Sequence, residues 1–201
     1  MRQSVVRLAG LIIAGAVAAG CSMKPQNVVI DPAPEMMAFN VGQKQSVAVN
    51  VVDKRASSLL GYRKDETKEQ APLKTGNDVA AAVAVKVREA VADNAFTVAG
   101  GDRADAKLTV EITEITYKAS GKYVAPKVAT RAAFRAVAER GLTTYSQSYS
   151  IANEDVEALP LTAERNERII NETVSQALGM MIEDEGLWRF LATGVVPGAQ
   201  Q

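Results

Sequence analysis

The chain of 201 residues contains no histidine and a single cysteine, Cys21. Without histidine the commonest general base and the commonest metal ligand are missing, and neither a Ser-His nor a Cys-His nucleophile pair can be built. One cysteine allows no disulfide within the chain and no thiolate zinc cluster. An oxygen-only calcium or magnesium site survives these exclusions, but no loop has the ligand spacing of one, so no cofactor or metal is expected. Charge is also without bias. The 23 basic and 23 acidic side chains cancel, and no global field gathers nucleic acid or anionic lipid.

What is present begins at the amino terminus. Arg2 and Arg7 flank a basic start, Leu8 to Ala19 is uncharged and apolar, and Ala18-Ala19-Gly20 leads into Cys21. That order is a secretory signal peptide over residues 1–20, and its apolar run falls short of the roughly 20 residues a permanent membrane helix needs. A cysteine directly after small residues resembles a bacterial lipobox, with Ala18 where leucine is usual. The resemblance implies lipidation of Cys21, through a diacylglyceryl thioether and an acylated amino terminus. Residues 21–44 then read as the acylated cysteine and a flexible tether. Asp31-Pro32-Ala33-Pro34 is its breaker cluster, and Val28-Val29-Ile30 could add a short edge strand.

A single periplasmic domain is expected over residues 45–194, with a carboxy-terminal tail at 195–201. Val47, Val49 and Val51 alternate as in a half-buried strand ending at Asp53-Lys54-Arg55. The stretch 61–76, charged and holding Pro72 and Gly76, reads as a loop or an irregular hairpin. Asn77 or Asp78 can cap a helix to about Asp93, with Val79, Val83, Val87, Ala90 and Val91 on one face. Phe96-Thr97-Val98 returns as a strand. Ala106 to Ser120 is a longer one whose apolar parity switches between Ile112 and Ile115, which places a bulge near Thr113-Glu114. Val128 to Glu139 and Leu142 to Ile151 complete an antiparallel meander. Leu161 or Thr162 opens a second helix to about Met181, the acidic run 183–185 should fray its last turn, and Trp188 and Phe190 follow in a terminal turn. The fold class is therefore α+β: a mostly antiparallel sheet of about five strands with two helices packed on one face. Trp188 either seals the core or stands exposed as an anchor for another protein.

The lipobox at Cys21, the Asp53-Lys54-Arg55 strand end with Leu60 and Arg63-Lys64-Asp65 behind it, the alanine-rich helix, the meander and the closing Trp188–Phe190 turn together resemble the YajG-type family of bacterial outer-membrane lipoproteins. The resemblance implies an outer-membrane lipoprotein facing the periplasm, with no assigned molecular activity. Frequent encoding near a muropeptide permease suggests cell-wall metabolism. Ser22 after the cysteine resembles the signal that releases lipoproteins to the outer membrane. The expected role is a non-enzymatic envelope scaffold or binding protein, anchored by its acyl chains, whose partner is an envelope protein or cell-wall component and not nucleic acid. Lys54, Arg55, Arg63 and Trp188 form the expected partner surface. The competing readings are a ligand- or lipid-binding auxiliary module of an envelope transport system, and a histidine-independent hydrolase using carboxylates such as Glu111 and Glu114. The latter two are more simply the solvent face of a strand.

Overall fold

The computed structural model describes residues 24–64, 70–101, 103–122, 125–157 and 161–197. The expected signal peptide, Cys21 and Ser22 lie outside the described residues, as does Asp65. Strands β1 (Gln26–Val28), β2 (Ser46–Asp53), β3 (Leu59–Lys64) and β4 (Gln70–Thr75) precede helix α1 (Val79–Asp93). Then come β5 (Thr97–Ala99), β6 (Ala106–Lys122), β7 (Ala125–Arg140), β8 (Thr143–Val156), α2 (Ala163–Ile182) and α3 (Glu185–Thr193).

The sheet is organised on β6. Its 17 residues are paired on one side with β7 along the whole length. The other side is shared: β2 runs parallel to residues 106–112, and β3 runs parallel to Tyr117 and Lys118. The changeover falls where β6 bulges between Ile112 and Glu114, and the Lys54 N–H makes the last bond of the β2 arm to the Ile112 carbonyl at 2.9 Å. One extra residue there swings the strand's inward parity from Leu108, Val110 and Ile112 to Ile115 and Tyr117, all buried. The bulge expected from the sequence is thus the point where the sheet divides into two arms.

Several expectations are corrected. Among the described residues the sheet has eight strands and is mixed rather than mostly antiparallel with five, and three helices cover it rather than two. Parallel pairs join β1 to β4, β2 to β5, β2 to β6 and β3 to β6. For the stretch 61–76 the irregular-hairpin alternative holds: β3 and β4 pair antiparallel, with a register shift between Leu59 and Gly61, despite Pro72. β1 pairs only with Leu73 to Thr75, so at Pro72 just the β3 side of the strand is bonded and the missing N–H costs no ladder bond on the other. Gly61 is required by close approach, because a Cβ there would lie 1.8 Å from the Tyr117 carbonyl oxygen. The acidic run after α2 starts a helix instead of fraying one. Asp184 caps α3 by accepting from the Leu187 N–H at 3.2 Å.

Both longer helices begin at capping side chains named from the sequence. Asp78 accepts from the Ala81 N–H at 3.0 Å, and Thr162 from the Arg165 N–H at 3.2 Å. The helices pack on the sheet face that carries Leu108, Val110, Ala132, Phe134 and Ala136: α1 over β2 and β5, α2 over β7 and β8, α3 over β7 and β6. Trp188, Phe134 and Phe190 are the largest fully buried side chains. Burying each is worth about 1.5–3 kcal/mol or more. The Trp188 indole ring sits 6.4 Å from that of Phe96, and its N–H donates to the Ile182 carbonyl at 2.8 Å.

Candidate functional site: the amino-terminal strap

Residues 26–42, expected as part of a tether, run as a strap across the helices. From Gln26 to Pro32 every second side chain goes inward, so Val28 and Ile30 are fully buried while Val29 is half exposed. The backbone is held from two sides. Along α2, the Ala163 carbonyl accepts from Gln26 Nε2 at 2.7 Å, Glu167 Oε2 accepts from the Val29 N–H at 2.9 Å, Asn171 Oδ1 from the Asp31 N–H at 2.8 Å, and Ser175 Oγ from the Ala33 N–H at 2.9 Å. These four helix residues are spaced by four and make one stripe, so strap and helix run in the same direction. Pro32, which has no N–H to donate, falls between the donors Asp31 and Ala33, and Pro34 follows the last of them.

Three asparagines grip the strap as a neighbouring strand would, each giving an N–H and taking one. Asn77 accepts from the Ile30 N–H at 2.8 Å and donates to the Ile30 carbonyl at 2.9 Å. Asn171 adds to its bond from Asp31 a donation to the Val29 carbonyl at 2.9 Å. Asn94, fully buried at the end of α1, accepts from the Phe39 N–H at 2.8 Å and donates to the Met37 carbonyl at 3.2 Å. Its own carbonyl takes the Gly42 N–H at 2.9 Å. A side-chain amide has one acceptor and a two-hydrogen donor at the spacing of a peptide group, which is why asparagine fits all three positions.

At the strap's start a buried chain of polar groups crosses the core. The Tyr117 hydroxyl donates to Asn166 Oδ1 at 2.8 Å, and Asn166 Nδ2 donates to Gln26 Oε1 at 3.1 Å. Burial raises the Tyr117 pKa well beyond the usual phenol range, with the charge of Arg63 opposing that rise. Two hollows border the strap. One of 590 Å³ lies between Pro34, Ile151, Arg168 and Met180, and one of 800 Å³ lies against Val41, Ala192, Val195 and Val196.

A family described as uncharacterized lipoprotein matches residues 32–192, a span that takes in the strap from Pro32 onward. The chain belongs to this lipoprotein family. No curated protein sequence matches it. Among solved structures, the lipoprotein shares its fold with protein XCC0632 from Xanthomonas campestris, at a TM-score of 0.52 and 11% identity over 82% of this chain and 95% of that one. Lipoprotein GNA1162 from Neisseria meningitidis is a more distant likeness, with a TM-score of 0.24 and 16% identity over 62% and 92% of the two chains.

The lipoprotein does not gather the expected partner residues into one surface. Lys54 is exposed beyond the end of β2. Arg55 folds back as a fork on Asp53, with Nε 2.9 Å from Oδ1 and Nη2 2.7 Å from Oδ2, and its side chain is only 7% exposed. That fork holds the Asp53 carboxyl below its usual range. The remaining guanidinium nitrogen, Nη1, is buried without a hydrogen-bond partner among the described residues. Arg63 is half-buried on β3, and Trp188 belongs to the core, as the alternative reading had it. On the uncovered sheet face Glu114 pairs with Arg131 at 3.0 Å, and Glu111 with Arg135 at 3.7 Å. Among the described residues there is no cluster of three metal-ligating side chains and no helix long and apolar enough to cross a membrane. The strap's seat was missed because its signal is diffuse. Asn77, Asn94 and Asn171 sit at helix borders or on an exposed helix face, where asparagine ordinarily means a cap or solvent.

Proposed function

We propose that this lipoprotein is fixed by acyl chains on Cys21 to the inner leaflet of the outer membrane, on its periplasmic side. There it works as a non-enzymatic scaffold or binding protein of the envelope, linked to cell-wall metabolism as the YajG-type resemblance implies. The observation that carries the reading is the position of the first fixed backbone. Residues 22–25 alone separate Cys21 from Gln26, whose side chain is bonded to α2. Fully extended, that link reaches at most about 18 Å. Acyl chains on Cys21 would therefore hold the folded domain beside the bilayer. Each buried methylene contributes about 0.8 kcal/mol, so several chains make release negligible where a single one does not.

A non-catalytic role is supported by how the carboxylates once considered for hydrolysis are used. Glu111 and Glu114 each face an arginine across β7. Ligand binding is a second reading, favoured by the 800 Å³ hollow with its Val41, Ala192, Val195 and Val196 wall, which has the size of small-molecule sites. Replacing Cys21 with serine and fractionating the envelope tests the anchor. The product is expected free in the periplasm or uncleaved in the inner membrane. An unchanged yield in the outer-membrane fraction would overturn the proposal.

A further inference from the structure

Sheet edges are templates for adding strands, and proteins guard them with short strands, bulges, proline, lysine or covering segments. Two of the three edges here follow that rule. β5 has three residues, and β1 has three and lies under the strap's bonds to α2. β8 does not follow it. Its 14 residues pair with β7 in unbroken register and pair with nothing on the other side among the described residues. The strand holds no lysine and no proline, and its centre on the uncovered face is Ser146, Ser148 and Ser150, all exposed and all too small to obstruct a neighbour.

We propose that β8 pairs antiparallel with β8 of a second copy, about a two-fold axis through Tyr149, joining the two sheets into one. The register comes from the strand's own ends. Leu142 is entirely exposed in the β7–β8 turn, and Val156 is 60% exposed at the far end. These two residues are equidistant from Tyr149, so the two-fold sets Leu142 of each copy across from Val156 of the other and covers both. The same register sets Ser148 opposite Ser150, Ser146 opposite Ala152, Thr144 opposite Glu154 and Thr143 opposite Asp155. Like faces meet throughout, since antiparallel partners directly opposite share a face.

Charge selects the direction. From Thr143 to Asn153 the strand is uncharged, and Glu154 and Asp155 end it. An antiparallel pair places each acidic end against two uncharged residues, Thr143, whose hydroxyl already donates to the Arg140 carbonyl at 2.8 Å, and Thr144. A parallel pair would stack acid on acid, and like charges directly opposite are destabilising. The resulting interface is isologous, the usual form of a two-fold dimer. Symmetry also brings both amino termini to the same height along the axis, so two anchors could enter one bilayer.

Mixing two differently tagged full-length chains in detergent, one Ser148→Cys and the other Ser150→Cys, and oxidising them with copper phenanthroline tests the pairing wherever the protein resides. A disulfide-linked mixed dimer is expected, and also for Leu142→Cys with Val156→Cys. A mixture of Ser148→Cys with Thr116→Cys, which lies on β6 away from the edge, should give none. The parent chain, carrying only Cys21, sets the background. Adding Ser150→Lys to both members of the Leu142/Val156 pair should abolish their crosslink, because the edge then carries the guard it lacks. Absence of mixed dimers, as expected if β8 receives a strand of a different protein, would overturn the proposal. So would equal crosslinking of the Thr116 control.

Discussion

The meander β6–β7–β8 and the strap are held by opposite means. In the meander each strand lies beside its predecessor in sequence, and the inward faces of β6 and β7 form a mostly apolar layer, with Thr130 the buried polar residue of β7. The strap closes over far longer stretches, with Gln26 and Ala163 137 residues apart, and amide hooks do much of the fastening. Loop closure grows only slowly more costly with length, so such contacts are affordable once the helices are in place. The lesson is about order. The meander and α2 can form from local information, whereas the strap has no seat until α1 and α2 are already on the sheet.

Substitutions can break this contrast in a graded way. The largest effect is expected from Trp188→Ala, which removes a fully buried indole and its N–H bond to Ile182. A loss of about 3–5 kcal/mol should appear in urea denaturation and should destabilise both regions together. Gly61→Ala should cost about 1–3 kcal/mol, since its methyl has no room before the Tyr117 carbonyl. It should open the β3–β6 pairing while leaving β6–β7 protected in hydrogen exchange.

Asn94→Ala removes a fully buried side chain and leaves the part-buried Phe39 N–H and Met37 carbonyl without their partner, for about 1–3 kcal/mol. Asn171→Ala removes two exposed bonds from the same strap and should cost less, about 0.5–1.5 kcal/mol. If the two hooks cost the same, burial is not what distinguishes them. In both variants exchange should quicken in the strap first, with the meander unchanged.

The smallest effect at neutral pH belongs to the meander side and shows only in alkali. Asp184 Oδ2 accepts from the hydroxyls of Tyr145 at 2.8 Å and Tyr149 at 2.5 Å. Burial, and then the Asp184 carboxylate, push the Tyr145 pKa up to about 12, and Tyr149 moves in the same direction. An unfolded tyrosine titrates near pH 10, so above that the folded chain holds more protons than the unfolded one. Stability from these hydroxyls is complete below pH 10 and should fall as pH rises toward 12. Melting followed by circular dichroism at stepped pH should show that fall. Tyr145→Phe should flatten it.

Much of the local structure was legible in the sequence. The helix starts were announced to within one residue, Asn77 or Asp78 and Leu161 or Thr162, and the parity switch between Ile112 and Ile115 announced the bulge, because caps and strand periodicity act over a few residues. Pairings between distant segments were not legible. Pro72 reads as a breaker until it is known that β1 begins beside Leu73, and no local pattern shows that β2 and β3 share one side of β6. Asp184 looked like an unfavourable charge at a helix end. Its role as a cap depends on α3 starting there and on two tyrosines reaching it from β8. The partner surface was misplaced for a similar reason: Trp188 has the composition of a binding anchor, and only the arrangement of α3 over β6 and β7 puts it inside.

The strap is part of the folded domain, and this is what makes the link to Cys21 short. Hydrogen exchange of the full chain, resolved at Val29, Ile30, Asp31, Ala33, Phe39 and Gly42, tests this most directly. These amides should be slowed to an extent comparable with the interior of α2. Exchange at the rate of an unstructured peptide, with α2 still protected, would contradict it.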